Sequence, residues 1–241
     1  MNGRERDDMN NLDTKKPETW WRELCWVTDQ ICVTGDLNSD RIKALEQLDG
    51  WVEAGVTHIA DVRAEWSDKA FVNHYAPNMK YLYFPTHDNG GLQSDHWFDH
   101  AVDGTVSALA ENPQHKVLIH CHMGVNRAPT LALAVLLELG WDALDAMEQI
   151  RATRPIAAIL YAIQAVDWDS RRIGLGDVQR QDRLDQVGQW LTENRVDVRW
   201  IISRIRVAEN SQPRVTRTTP PFRPVTTFNH TSAGAADIDA F

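Results

Sequence analysis

The feature that most constrains this chain is a hydrophobic run that ends on a cysteine. Val117-Leu118-Ile119-His120 reads as a buried strand, Cys121 follows it, and a short loop leads to Arg127 and a long apolar stretch. A strand–loop–helix turn of this kind gathers successive backbone N–H groups at a helix N-terminus, where they can hold an anion. Gly124 permits a tight turn that a Cβ would obstruct, and Arg127 adds a planar fork matching two phosphate oxygens. The same positive field stabilises a thiolate, so Cys121 is the expected nucleophile. His122, Met123, Gly124, Val125, Asn126 and Arg127 form the expected substrate-binding loop. Cys25 and Cys32 lie in apolar, strand-like sequence and read as structural.

Such a loop needs a sheet to launch it, and the flanking sequence alternates accordingly. An apolar run at 31–37, an amphipathic stretch at 40–48, a run at 56–62, a strand at 80–85, a helix at about 94–111 and a strand at 116–120 follow one another. The alternation predicts an α/β domain with a central mixed, mostly parallel sheet flanked by helices. Pro129 suits a first helical turn, and LALAVLLEL after it is apolar nearly all round, hence buried. Gly140 suits the position just past the helix end. Asp142 can cap a helix through Arg154, and Pro155 can open another through about Asp169, with Ile156, Ile159, Leu160, Ile163 and Val166 on one face. Helical spacing of Leu184, Val187, Leu191, Ile201, Ile202 and Ile205 predicts one or two C-terminal accessory helices. The expected organisation is a tail at 1–19, a catalytic domain at 20–174, an accessory helical segment at 175–209 and a Pro/Thr-rich tail at 210–241.

His120-Cys121 through Arg127 has the form HCxxGxxR. Together with VTGDL at 33–37, AGVTHIADV at 54–62, YFPTHDNGG around Asp88 and RATRP at 151–155, it resembles the dual-specificity branch of the protein tyrosine phosphatase superfamily over about residues 26–170. The Cx5R spacing alone also occurs in rhodanese-like and arsenate-reductase-like proteins. The resemblance implies a protein tyrosine phosphatase-like fold, hydrolysis of phosphate monoesters through a phosphocysteine and a phosphorylated protein or peptide as partner. It also implies that Asp88, on a loop about thirty residues before the cysteine, protonates the leaving group. A plain turn residue is the other reading of Asp88, and His87 is a weaker candidate for the acid. His120 is implied to orient the loop and tune the thiolate by hydrogen bonding from beneath. Asp61-Val62-Arg63 resembles a strand-end motif that braces the site floor in some bacterial relatives; an exposed ion pair is its alternative. Two departures stand out: Ala128, where the family often carries Ser or Thr, and IAAILYA at 156–162, which lacks an asparagine common there. A phospho-binding module that captures without hydrolysing is therefore the alternative function.

The 34 acidic against 25 basic residues, net charge -9, disfavour nucleic acid and anionic membranes as partners. A loop without lysine likewise disfavours a multiply anionic lipid head group. Three cysteines, a polar N-terminus and no apolar run approaching about 18 residues predict a soluble, cytoplasmic chain. Asp95 and Asp99 read as solvated or capping residues. His96 and His100 have a ligand-like spacing, but no third group completes a set, so neither metal nor cofactor is expected.

Overall fold

The computed structural model describes residues 20–211, so the expected tail at 1–19 and all but the first two residues of the one at 210–241 lie outside them. Five strands form one sheet: β1 Cys25–Trp26, β2 Ile31–Thr34, β3 His58–Arg63, β4 Lys80–Thr86 and β5 Val117–His120. Their lateral order is β1-β2-β5-β3-β4. β1 is antiparallel to β2 and the remaining pairs are parallel. β2, β3 and β5 are buried at every position. Strands covered on both faces need no polar alternation, which is why they read as near-continuous apolar runs.

Parallel neighbours require crossovers, and helices supply them on both faces. α1 Arg41–Glu53 and α2 Lys69–Tyr75 cover Ile59 and Leu118 on one side. α3 Asp95–Ala110, α4 Arg127–Glu138, α5 Ala143–Thr153 and α6 Ala162–Arg172 cover Ala60, Val62, Val117 and Ile119 on the other. The two sets alternate along β3 and β5, as successive strand side chains must. α4 is buried from Arg127 to Leu137, as its all-round apolar sequence requires. The side chains of Asp40, Ser94 and Asp142 accept N–H bonds at three helix starts, each worth about 1 kcal/mol. Gly140, at φ +87, ends α4.

Two accessory helices follow, α7 Asp177–Glu193 and α8 Val198–Ser211. The helix expected to open at Pro155 begins instead at Ala162. Residues before it have another use for their amides: Ala158 N–H donates to the Val125 carbonyl at 2.7 Å, and Leu160 N–H to Asn126 Oδ1 at 2.7 Å. Ile156 and Ile159 are buried as expected, whereas Leu160 and Ile163 face solvent. β1 and α2 had no sequence signal, being shorter than a periodic pattern can register.

Candidate active site

Four parallel strands end on one side of the sheet, and the segment after each brings one charged or nucleophilic residue: Asp36 after β2, Glu65 after β3, Asp88 after β4 and Cys121 after β5. The carboxyl ends of parallel strands are where open α/β sheets place their ligands.

The loop from Cys121 to Asn126 is held by its carbonyls. His122 O accepts from Asp36 N–H at 3.1 Å and Val125 O from Ala158 N–H at 2.7 Å. Met123 O accepts from Arg154 Nη2 at 3.0 Å and Gly124 O from Arg154 Nε at 2.5 Å. Arg154 is itself buried and also donates to Trp21 O at 2.7 Å. Among the described residues no protein acceptor takes the backbone N–H groups of 122–126, so the loop's unspent polarity is a set of donors. Gly124, at φ +62, is required twice over: a Cβ there would overlap the Arg154 guanidinium and fall 2.6 Å from the Thr34 carbonyl oxygen.

Arg127 opens α4 and is 2% exposed. Its Nη1 and Nη2 each lie 2.8 Å from the Glu65 carboxylate, and Nη1 also donates to Thr86 O at 2.7 Å. Nε is buried without a hydrogen bond and lies 3.6 Å from Asp88 Oδ2. Burial opposes the Arg127 cation, but Glu65 and the nearby Cys121 sulfur outweigh it and raise its proton affinity. Burial likewise works against charge on Glu65, yet the bonds from Arg127 hold its carboxyl below the usual carboxylate range.

Asp88 Oδ1 accepts from Asn126 Nδ2 at 2.7 Å and from Tyr161 OH at 3.0 Å. Tyr161 OH in turn accepts from Gly90 N–H at 3.2 Å, tying the Asp-Asn-Gly-Gly turn to the foot of α6. Cys121, Arg127, Asp88 and Tyr161 line one cleft of about 550 Å³, whose far wall includes Ile202 and Arg206 of α8. A shallower hollow of about 780 Å³ between Leu139 and Ala152 contains carboxylates but no nucleophile or cation.

Beneath the loop, Asp36 gathers Arg22 Nη2 at 3.0 Å, Arg63 Nη1 at 3.3 Å and His122 Nδ1 at 2.8 Å. Donating a hydrogen bond to the Asp36 carboxylate raises the pKa of His122 above its ordinary value. Asp61 and Arg63 are both fully buried and joined by bonds of 2.9 Å from Nε and Nη2, so the exposed-pair alternative is overturned. His120 departs from expectation: both ring nitrogens are buried without a hydrogen bond, and Nε2 is 3.8 Å from Asp61 Oδ1. Burial lowers its pKa, so the ring is neutral near pH 7.

Residues 43–162 match the family model of the dual specificity phosphatase catalytic domain. Human dual specificity protein phosphatase 1 is 30% identical over 103 residues, 42% of this chain and 26% of the relative. Mouse dual specificity protein phosphatase 2 is 30% identical over 91 residues, 38% of this chain and 26% of the relative. The chain therefore spans about a quarter of the length of these curated relatives. Among solved structures, Tk-PTP in its active form superposes with a TM-score of 0.51 at 18% identity, covering 63% of this chain and 99% of that one. Human DUSP28 gives 0.51 at 17%, covering 63% and 95%. The chain belongs to the dual-specificity phosphatase family.

The fold brings Cys121, Arg127, Asp88, His122, Met123, Val125 and Asn126 to one cleft, which Gly124 and His120 do not line. His87 is exposed and outside the cleft. Asp95 and Asp99 are tied to α6, Asp95 by Arg171 and Asp99 by Trp168 Nε1 at 2.9 Å. His96 and His100 stack 6.4 Å apart and gain no third ligand among the described residues. Ala128 is fully buried in the main core. In the 156–162 segment that lacks the asparagine, Leu160 N–H donates to Asn126 Oδ1 of the loop. Sequence reading missed Glu65, Arg154, Tyr161 and the wall from α8. An arginine immediately before Pro155 was the one available signal for Arg154; Glu65 had none, because surface glutamates are everywhere. α8 lies beyond the family match, and its Ile201 and Ile205 pack with Val125, Ile156 and Ala158 in one apolar cluster.

Proposed function

We propose that this chain is a cysteine-dependent phosphatase hydrolysing phosphate monoesters on phosphorylated proteins or peptides, and that residues 20–211 act as one catalytic unit with α8 as a wall of its site. The carrying observation is that a nucleophile and a buried guanidinium from the two ends of one loop, and a carboxylic acid from a second, converge on one cleft whose floor is free N–H groups. Cys121 Sγ attacks phosphorus while the bond to the leaving oxygen breaks, and Asp88 donates its proton to that oxygen. Oδ1 of Asp88 is already taken by two donors, so the transferred proton belongs on Oδ2. Water then attacks phosphorus as the S–P bond breaks and the Cys121 thiolate is released, Asp88 takes the water's proton, and phosphate leaves. Arg127 Nε and the loop amides stabilise the equatorial oxygens throughout. The apolar wall of Leu160, Tyr161 and Ile202 supports an aryl ester such as phosphotyrosine. A thiolate mechanism suits a reducing, cytoplasmic setting. Among the described residues no helix is long and apolar enough to cross a membrane.

Ala128 favours a second reading, capture without turnover, because no hydroxyl at that position helps the thiolate leave. Hydrolysis of p-nitrophenyl phosphate, with and without chelator, separates the two. The enzyme is expected to turn over repeatedly in both conditions, and Cys121→Ser to lose turnover while still binding vanadate. A single burst without turnover, or wild-type rates in Cys121→Ser, overturns the proposal.

A further inference from the structure

At the end of the sheet opposite the phosphate loop, three side chains far apart in sequence meet. His58 opens β3, His115 precedes β5 and Glu111 caps the C-terminus of α3. One donor atom from each lies within 4.8 Å of the others, and the imidazole centroids are 4.7 Å apart. The length of β3 puts this cluster roughly 20 Å from the catalytic loop.

The hydrogen bonds around the cluster decide which atoms face it. His115 Nδ1 is 2.7 Å from the Ala108 carbonyl, which can only accept, so Nδ1 carries the hydrogen and Nε2 keeps its lone pair. His58 Nδ1 is engaged by Thr57 Oγ1 at 2.9 Å, again leaving Nε2 for the cluster. An imidazole whose outer nitrogen is tied to a backbone carbonyl or hydroxyl is oriented in the way metal-binding histidines are. His58 is 2% exposed, so its ring is held in place by packing as well. The third member, Glu111, is exposed and adjustable, and Lys80 Nζ sits 3.0 Å from its carboxylate. Exposed pairs of that kind are screened and readily exchanged. The acidic group thus already attracts a cation, and a bound metal would take the place of the lysine ammonium.

We propose that His58, Glu111 and His115 form a binding site for a divalent transition metal, zinc before the others, which fastens the start of β3, the start of β5 and the end of α3 together. Two imidazole nitrogens and one carboxylate oxygen suit Zn²⁺, with water in a fourth position. Bonds of about 2.0–2.2 Å require the donors to close in by roughly 1 Å, a movement open to the exposed Glu111. The role is structural, since the three ligands fasten separate elements and none of them lines the cleft at Cys121.

The test uses the full chain carrying Cys121→Ser, so that the catalytic thiolate cannot take the metal. Zn²⁺ is titrated calorimetrically, Co²⁺ by visible absorption, and melting is followed with each. One saturable equivalent is expected, Co²⁺ showing tetrahedral bands, with zinc at about a hundred times its Kd raising Tm by roughly 5–10 °C. His115→Ala should abolish that equivalent. Glu111→Gln, on an exposed side chain that does not threaten the fold, should weaken it about tenfold or more. Lys80→Met should tighten it, by removing the competing ammonium. Absence of saturable binding in Cys121→Ser overturns the proposal, as does an equivalent that survives both His115→Ala and Glu111→Gln.

Discussion

Replacing Asp88 by asparagine preserves the side chain's shape and removes its proton, so it isolates the acid from the scaffold. In the wild type, Oδ1 accepts from Asn126 and Tyr161, which obliges the substituted amide to present its oxygen there and its NH2 toward Arg127. Arg127 stays anchored by Glu65 and Thr86, so the phosphate site survives. What is lost is leaving-group protonation, worth about 10²–10⁴ in rate, or about 3–5 kcal/mol of barrier. A leaving group that departs readily as an anion draws little of this, so its rate should fall less than about tenfold. Removing a negative charge beside the anion site should also lower KM for a dianionic ester. The assay is kcat and KM for aryl phosphates of graded leaving-group pKa. The loss should grow with that pKa. A uniform small factor across the series would refute the assignment, reducing Asp88 to a turn residue and moving the search to His87 despite its place outside the cleft.

Glu65→Gln keeps one acceptor for Arg127 but loses the bidentate pair, so kcat/KM should drop about 10–100-fold. With Glu65 39% exposed, the accompanying loss in urea stability should stay within about 1–2 kcal/mol; unchanged kinetics would remove Glu65 from the site. Gly124→Ala forces a Cβ into Arg154 and Thr34 at positive φ, predicting about 2–4 kcal/mol of destabilisation and collapse of activity; a wild-type urea midpoint would contradict the packing argument. The two histidines beside Cys121 should pull stability in opposite directions with pH. His120, its pKa lowered by burial, contributes stability above the unfolded value of about 6.5 that is lost as pH falls. His122, raised by Asp36, contributes stability below about 6.5 that is lost as pH rises through its folded value. Denaturant midpoints between pH 5 and 8 should therefore lose their acid-side decline in His120→Asn and show a steeper one in His122→Asn; parallel curves for wild type and variants would refute both.

What could be read without coordinates follows from local rules. Buried parallel strands write themselves as unbroken apolar runs, Asp40, Ser94 and Asp142 mark helix starts because they cap N–H groups, and HCxxGxxR confines nucleophile, turn glycine and cation to one loop. Asp88 was singled out only through the resemblance, which implies an acid about thirty residues before the cysteine; its Asp-Asn-Gly-Gly string by itself fits a plain turn residue. The start of α6 was misplaced because periodicity describes only a helix's own preferences. The amides of Ala158 and Leu160 are instead spent on Val125 and Asn126, partners that a linear reading cannot see.

Everything that makes the loop a site rather than a motif was decided in three dimensions. Glu65 meets Arg127 from another strand's end, Arg154 fixes the loop carbonyls from the end of α5, and α8 reaches the cleft from beyond the family match. His58, Glu111 and His115 show the same principle at the sheet's other end. The sequence alone determined the four parallel strands, most helix boundaries and the candidate loop at 121–127, since these depend on patterns a few residues long. Which charges neutralise one another was settled only when parallel strands aligned their ends, because electrostatic energy depends on distance in space and not on separation along the chain.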